Sequence, residues 1–146
     1  MILRQWTSGI LFLVATVWAA GAVAAELKVL SVEAMQPALL QLAPAFETAS
    51  KNKLNIDYAT AAAVEKKIID EEEYDVVIVD TPITTNLGAA AKIATGSIRT
   101  LAKQNAERVY DASSTNWCQE PGAAMALIDF LAKSSEVYKA KGLQPG

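Results

Sequence analysis

The side chains that most often perform chemistry are scarce in this sequence of 146 residues. It contains no histidine and a single cysteine, Cys118. A Ser-His-Asp triad, a Cys-His pair and a histidine-based metal site are therefore excluded. Asp75 and Asp80 flank four apolar residues and are not a spaced acid–base pair. With no P-loop glycine pattern either, the sequence predicts a protein that is not an enzyme and needs no cofactor or metal.

The charge balance is mildly acidic, with 13 Lys and Arg residues against 16 Asp and Glu residues. No basic cluster is present that could neutralise a phosphate backbone, so we do not expect a nucleic-acid partner. One cysteine cannot form an intramolecular disulfide, and the fold must therefore depend on its hydrophobic core.

The first 25 residues have the organisation of a secretory signal peptide. Arg4 precedes an apolar run over 10–20, and small residues over 21–25 provide an A-x-A cleavage pattern. An uncleaved anchor is the alternative, but this run is shorter than the roughly 20 residues that a membrane-spanning helix needs. We therefore predict a signal peptide over 1–25, a periplasmic location and no membrane insertion after cleavage.

Strand and helix patterns alternate from residue 28 to about 95, which predicts an α/β fold with a three-layer, doubly wound, mostly parallel sheet. The unbroken β-branched run in Tyr74–Val79 is typical of a strand buried on both faces. Strands are predicted over Lys28–Val32, Leu54–Tyr58 and Tyr74–Val79, and helices over Gln36–Ser50, Ala61–Asp70 and Thr84–Lys92.

Between residues 101 and 120 the chain is polar, and its apolar residues follow neither the helical nor the strand spacing clearly. A helical pattern returns over Pro121–Leu131. A last short helix begins near Ser134 or Ser135 and ends at Gly142, a residue type common just past a helix end.

Together these segments resemble the N-terminal lobe of the periplasmic molybdate-type substrate-binding proteins of ABC importers, which have a type II periplasmic-binding-protein fold. The resemblance rests on LKVLSVEAMQPALLQLAPAFETAS, LNIDYATAAAVEKKI, YDVVIVDTP and KIATGSIRTLAK, and PGAAMALIDFLAKSSEVYKAKGLQPG resembles the C-terminal helices of that family. Family members carry a second α/β lobe between these two parts. Residues 26–103 would then form the N-terminal lobe, 104–120 an irregular linker in place of the second lobe, and 121–146 helices packed on the lobe.

The resemblance implies binding without catalysis, with a tetrahedral oxyanion held by main-chain N–H groups at helix starts and by hydroxyl groups. Such helix ends attract anions without counter-charges. Carried over to this sequence, one contact loop contains Ser31, Ala34 and Met35, and the other contains Thr60 and Ala61. Glu33 is a departure, because a carboxylate beside an oxyanion is repulsive. Ser31 could instead simply end a strand, and Thr60 could serve only as a helix cap.

The sequence leaves three functions open. The first is a solute-binding protein that delivers molybdate, tungstate or a similar oxyanion to an ABC permease. The second is a truncated relative without a transport role. The third is a small periplasmic module that docks another protein through the face left exposed by the missing lobe.

Overall fold

The computed structural model describes residues 24–146. The predicted signal peptide lies outside the described residues, apart from Ala24 and Ala25. Within the described part, the strands are β1 (Glu26–Val32), β2 (Lys53–Ala59), β3 (Val76–Asp80), β4 (Arg99–Lys103), β5 (Val109–Ser114) and β6 (Gln144–Pro145). The helices are α1 (Gln36–Ser50), α2 (Ala61–Ile69), α3 (Thr81–Ala89), α4 (Pro121–Ala132) and α5 (Ser135–Ala140).

The six strands form one sheet in the order β2-β1-β3-β5-β4-β6. β1 pairs in parallel with both β2 and β3, whereas β5, β4 and β6 join through antiparallel pairings. The predicted α/β class is confirmed, and the sheet is mixed, with its parallel part confined to β2-β1-β3. Parallel neighbours need crossover connections, and α1 and α2 supply them.

Helices cover both faces of the sheet. α2 contacts α3 on one side, while α1 contacts α4 and α5 on the other. β3 lies between these layers, and residues 76–79 are completely buried. The prediction of a strand buried on both faces is therefore confirmed. None of the helices within 24–146 is long and apolar enough to cross a membrane.

The segment 104–120, expected to be irregular, contains strand β5. Only five residues, Gln104 to Arg108, separate β5 from β4, and the two strands form an antiparallel hairpin. A buried polar contact holds the end of β5 against the 3₁₀ turn before β4: the main-chain N–H of Ser114 donates to Oγ of Ser97 at 2.8 Å. The expectation of an irregular linker is therefore wrong for β5. The division of the chain into domains stays a prediction.

The short last helix is anchored in the core by Tyr138. Its ring is completely buried, its hydroxyl donates to the carbonyl of Leu131 at 2.8 Å, and burial raises the pKa of the phenol. Below pH 10 the phenol is neutral in both the folded and the unfolded chain, so stability has its full value there. Above pH 10 the unfolded chain ionises first, and stability falls as the pH rises.

We therefore expect Tyr138→Phe to lower the free energy of unfolding by about 1 kcal/mol at pH 8, because one hydrogen bond is lost. Between pH 10 and 11, the variant should lose less stability than the wild type. Urea titrations at each pH measure both differences. Equal pH dependence in the two proteins would contradict the role of this phenol.

Candidate functional site

The ends of β1 and β2 lie side by side at one edge of the sheet. In the parallel register Ser31 pairs with Tyr58 and Val32 pairs with Ala59, so Glu33 and Thr60 follow at the same edge. Open α/β sheets bind ligands at this edge, beyond the carboxyl ends of their parallel strands. The two loops predicted to contact a ligand are therefore neighbours.

Ser31 and Met35 point into the protein. Both side chains are completely buried, and the hydroxyl of Ser31 donates to the carbonyl of Val32 at 3.0 Å. Met35 belongs to the core and can offer a ligand only its main-chain groups. Ala34, between Glu33 and Met35 in a short 3₁₀ turn, is exposed. Of the three residues predicted to contact a ligand in this loop, Ala34 is the exposed one.

Thr60 caps α2, a helix of nine residues whose last turn carries Lys66 and Lys67. Its Oγ1 accepts a hydrogen bond from the main-chain N–H of Ala63 at 3.3 Å, and the side chain is exposed. A threonine hydroxyl accepts through its lone pairs and still has one hydrogen to donate. Thr60 can therefore cap the helix and contact an anion at the same time, with the half-buried Ala61 beside it.

A cavity of about 230 Å³ opens beside Ala34. It lies between the start of α1, the β4–β5 hairpin loop and the turn after α5, and its lining includes Gln104 and Lys141. Thr60 and Ala61 are not among its lining residues. Sequence reasoning did not single out Gln104 or Lys141, which lie in segments far apart along the chain.

Asp80, at the end of β3, starts α3 without a side-chain cap. The buried carboxylate of Asp111 on β5 instead holds the first turn of this helix. Its Oδ2 accepts from the Thr81 hydroxyl at 2.8 Å, and its Oδ1 accepts from the Thr100 hydroxyl at 3.0 Å. Asp111 therefore positions the start of α3 at the same sheet edge. Both of its carboxylate oxygens already accept hydrogen bonds from protein hydroxyls.

Cys118 and the acidic side chains are the remaining candidates for chemistry in the described part of the chain. Burial raises the pKa of the Cys118 thiol, which keeps it protonated at neutral pH. Within 24–146, no group of three or more Cys, Asp or Glu side chains is placed to hold a metal ion.

The profile of the family described as bacterial extracellular solute-binding protein matches residues 27–106. No curated protein matches the sequence. Solved structures do share the fold. One, described as the substrate-binding domain of a molybdenum ABC transporter from Clostridium difficile, is 10% identical with a TM-score of 0.77, and the match covers 84% of this chain and 100% of that chain.

Two further structures are similar. The periplasmic molybdate-binding protein of Azotobacter vinelandii has 14% identity and a TM-score of 0.73, with 80% of this chain and 98% of that chain covered. The sulfate-binding protein SubI of Mycobacterium tuberculosis has 9% identity and a TM-score of 0.68, and the match covers 83% of this chain and 87% of that chain. At these identities the likeness is one of fold.

Proposed function

The chain belongs to the family of bacterial extracellular solute-binding proteins, and from this premise we propose that it binds a tetrahedral oxyanion of the molybdate, tungstate or sulfate type. The proposal includes a periplasmic location and delivery of the ligand to an ABC permease. Binding takes place at the sheet edge where β1 and β2 end, and involves no catalytic step.

The observation that carries this proposal is the exposed start of α2 next to the end of β1. The first N–H groups of a helix lack partners within it, and the helix dipole adds a partial positive charge. Thr60 adds a hydroxyl hydrogen, and Ala61 has no side chain large enough to hinder a ligand. An anion can therefore be bound by a protein whose own net charge is −3.

The charges near this edge set the conditions for binding. Glu33 is exposed, so its carboxylate can point into water, where solvent and salt screen its repulsion of an anion. A site formed by one lobe also leaves part of the ligand in solvent. We therefore expect weaker binding than a two-lobed protein achieves by closing around its ligand.

A thermal-shift screen with molybdate, tungstate and sulfate tests the proposal. A ligand that binds only the native state at about 100 times its dissociation constant adds about 2.7 kcal/mol of stability. For a domain of this size the melting temperature should rise by roughly 5–15 °C. Chloride at equal ionic strength is the control, and equal melting temperatures in all four salts would contradict the proposal.

Thr60 provides the matched pair of variants. We expect Thr60→Val to reduce or abolish the oxyanion-induced shift, because the hydroxyl donor is lost while the shape is kept. It should also lower the stability of the free protein by about 1 kcal/mol, because the helix cap is lost. Thr60→Ser retains both functions and should behave as wild type. A shift that Thr60→Val leaves unchanged would show that the anion does not contact this residue.

A further inference from the structure

The cavity beside Ala34 and a neighbouring cleft along α1, which shares Lys141 with it, differ in charge from the acidic clefts of this protein. None of the residues that line the cavity is acidic, although the chain has more acidic than basic residues, and Lys141 is among them. By contrast, a cleft formed around Tyr74 is lined by Asp57, Glu72 and Glu73. At about 230 Å³ the cavity is smaller than the roughly 300–1,000 Å³ typical of sites for drug-sized ligands, and it suits a small ion.

Gln104 presents hydrogen-bond donors at this cavity. Its Oε1 accepts from the hydroxyl of Tyr110 at 3.0 Å, and its main-chain N–H donates to the carbonyl of Arg108 at 2.9 Å. Tyr110 is almost completely buried, and burial raises the pKa of its phenol, so the hydroxyl stays protonated and donates. With the oxygen occupied, the side-chain NH₂ of Gln104 is left to donate, which suits an acceptor such as an oxyanion.

Lys141 is held in place by the main chain at the end of α5. The N–H of Leu143 donates to the carbonyl of Tyr138 at 2.9 Å, and the N–H of Gly142 donates to the carbonyl of Lys139 at 3.0 Å. This is the Schellman pattern, and Gly142 has the positive φ, 79°, that it requires. Lys141 forms no ion pair with any residue of the described range, whereas Lys139 is paired with Glu136.

We propose that Gln104 and Lys141 bind the oxyanion across this cavity, opposite the main chain at Ala34, and that Lys141 supplies the counter-charge. This inference rests on the proposed function and adds two ligand contacts on the side of Ala34, because Thr60 and Ala61 do not line the cavity. The ammonium of Lys141 and the amide of Gln104 come from hydrogen-bonded turns in two distant segments. Together they would cover part of the ligand surface that the end of β1 leaves in solvent.

Calorimetric titration of the purified protein with sodium molybdate tests this proposal. The informative variants are Lys141→Gln and Gln104→Ala, with Lys139→Gln as the control for removing a charge from the same helix. We expect the first two to weaken binding by about tenfold or more, because charge-assisted hydrogen bonds are lost. Lys139→Gln should bind as the wild type does. Tyr110→Phe should weaken binding less, since it only releases the Gln104 amide.

Salt dependence separates a ligand contact from a change in packing. If Lys141 touches the anion, the loss of affinity with rising sodium chloride should be smaller in Lys141→Gln than in the wild type. Wild-type affinity in both Lys141→Gln and Gln104→Ala would overturn the inference and leave the proposed function standing. Failure of the wild type to bind any tetrahedral oxyanion would overturn both.

Discussion

Ile78→Ala should lower the free energy of unfolding by about 3 kcal/mol, within the range for large-to-small substitutions in a core. Ile78 is completely buried in β3 and pairs with Ser31 of β1 on one side and Ala112 of β5 on the other. With helices packed on both faces of the sheet, the surroundings cannot collapse into the space left behind. Domains of this kind have about 5–15 kcal/mol of stability in total, so the variant should be only marginally folded.

Ile69→Ala is the matched control. The same side chain is shortened, but Ile69 is the last residue of α2 and is 40% exposed. The change should shift stability by less than about 1 kcal/mol, since alanine also has the higher helix propensity. Urea-induced unfolding followed by circular dichroism measures both. Similar losses in the two variants would show that β3 is not the centre of the core.

Asp111→Ala should have the second largest effect, a loss of about 2 kcal/mol. The buried carboxylate accepts hydrogen bonds from Thr81 and Thr100, and deleting it leaves both hydroxyls without this partner. The loss is limited because the Thr81 hydroxyl also reaches the carbonyl of Val109 at 3.2 Å. In addition, removal of a buried carboxylate relieves the cost of its desolvation.

Asp111→Asn separates these contributions. The amide keeps the shape and one acceptor oxygen, and its NH₂ can donate to the second threonine, so the loss should be about half that of Asp111→Ala. Urea unfolding at pH 7 provides the comparison. If Asp111→Ala is as stable as the wild type, the hydroxyl contacts do not hold the start of α3.

The first half of the fold could be predicted because local patterns and tertiary structure agree there. Helix α1 occupies the predicted range Gln36–Ser50, and Thr60 caps α2 as its residue type indicates. The β4–β5 hairpin could not be predicted, because β5 buries Asp111, Ser113 and Ser114. Polar residues are usually exposed, and only the distant partners of these side chains explain their burial.

The site was harder to predict than the fold. The sequence places Ser31 at a strand end. It cannot show that both faces of β1 are covered there, or that the hydroxyl donates its hydrogen bond to the neighbouring main-chain carbonyl of Val32. Gln104 and Lys141 carry no local signal either. They are brought to Ala34 by the hairpin and by the turn after α5, and such long-range contacts follow from topology rather than from spacing.

The most direct measurement is an isothermal titration of the wild-type protein with molybdate at neutral pH and low salt. Saturable binding of one ion per chain is the predicted result, with a dissociation constant on the order of micromolar to millimolar, or about −8 to −4 kcal/mol. An absence of saturable heat with molybdate, tungstate and sulfate, each titrated to about ten times the upper limit of this range, would contradict the account.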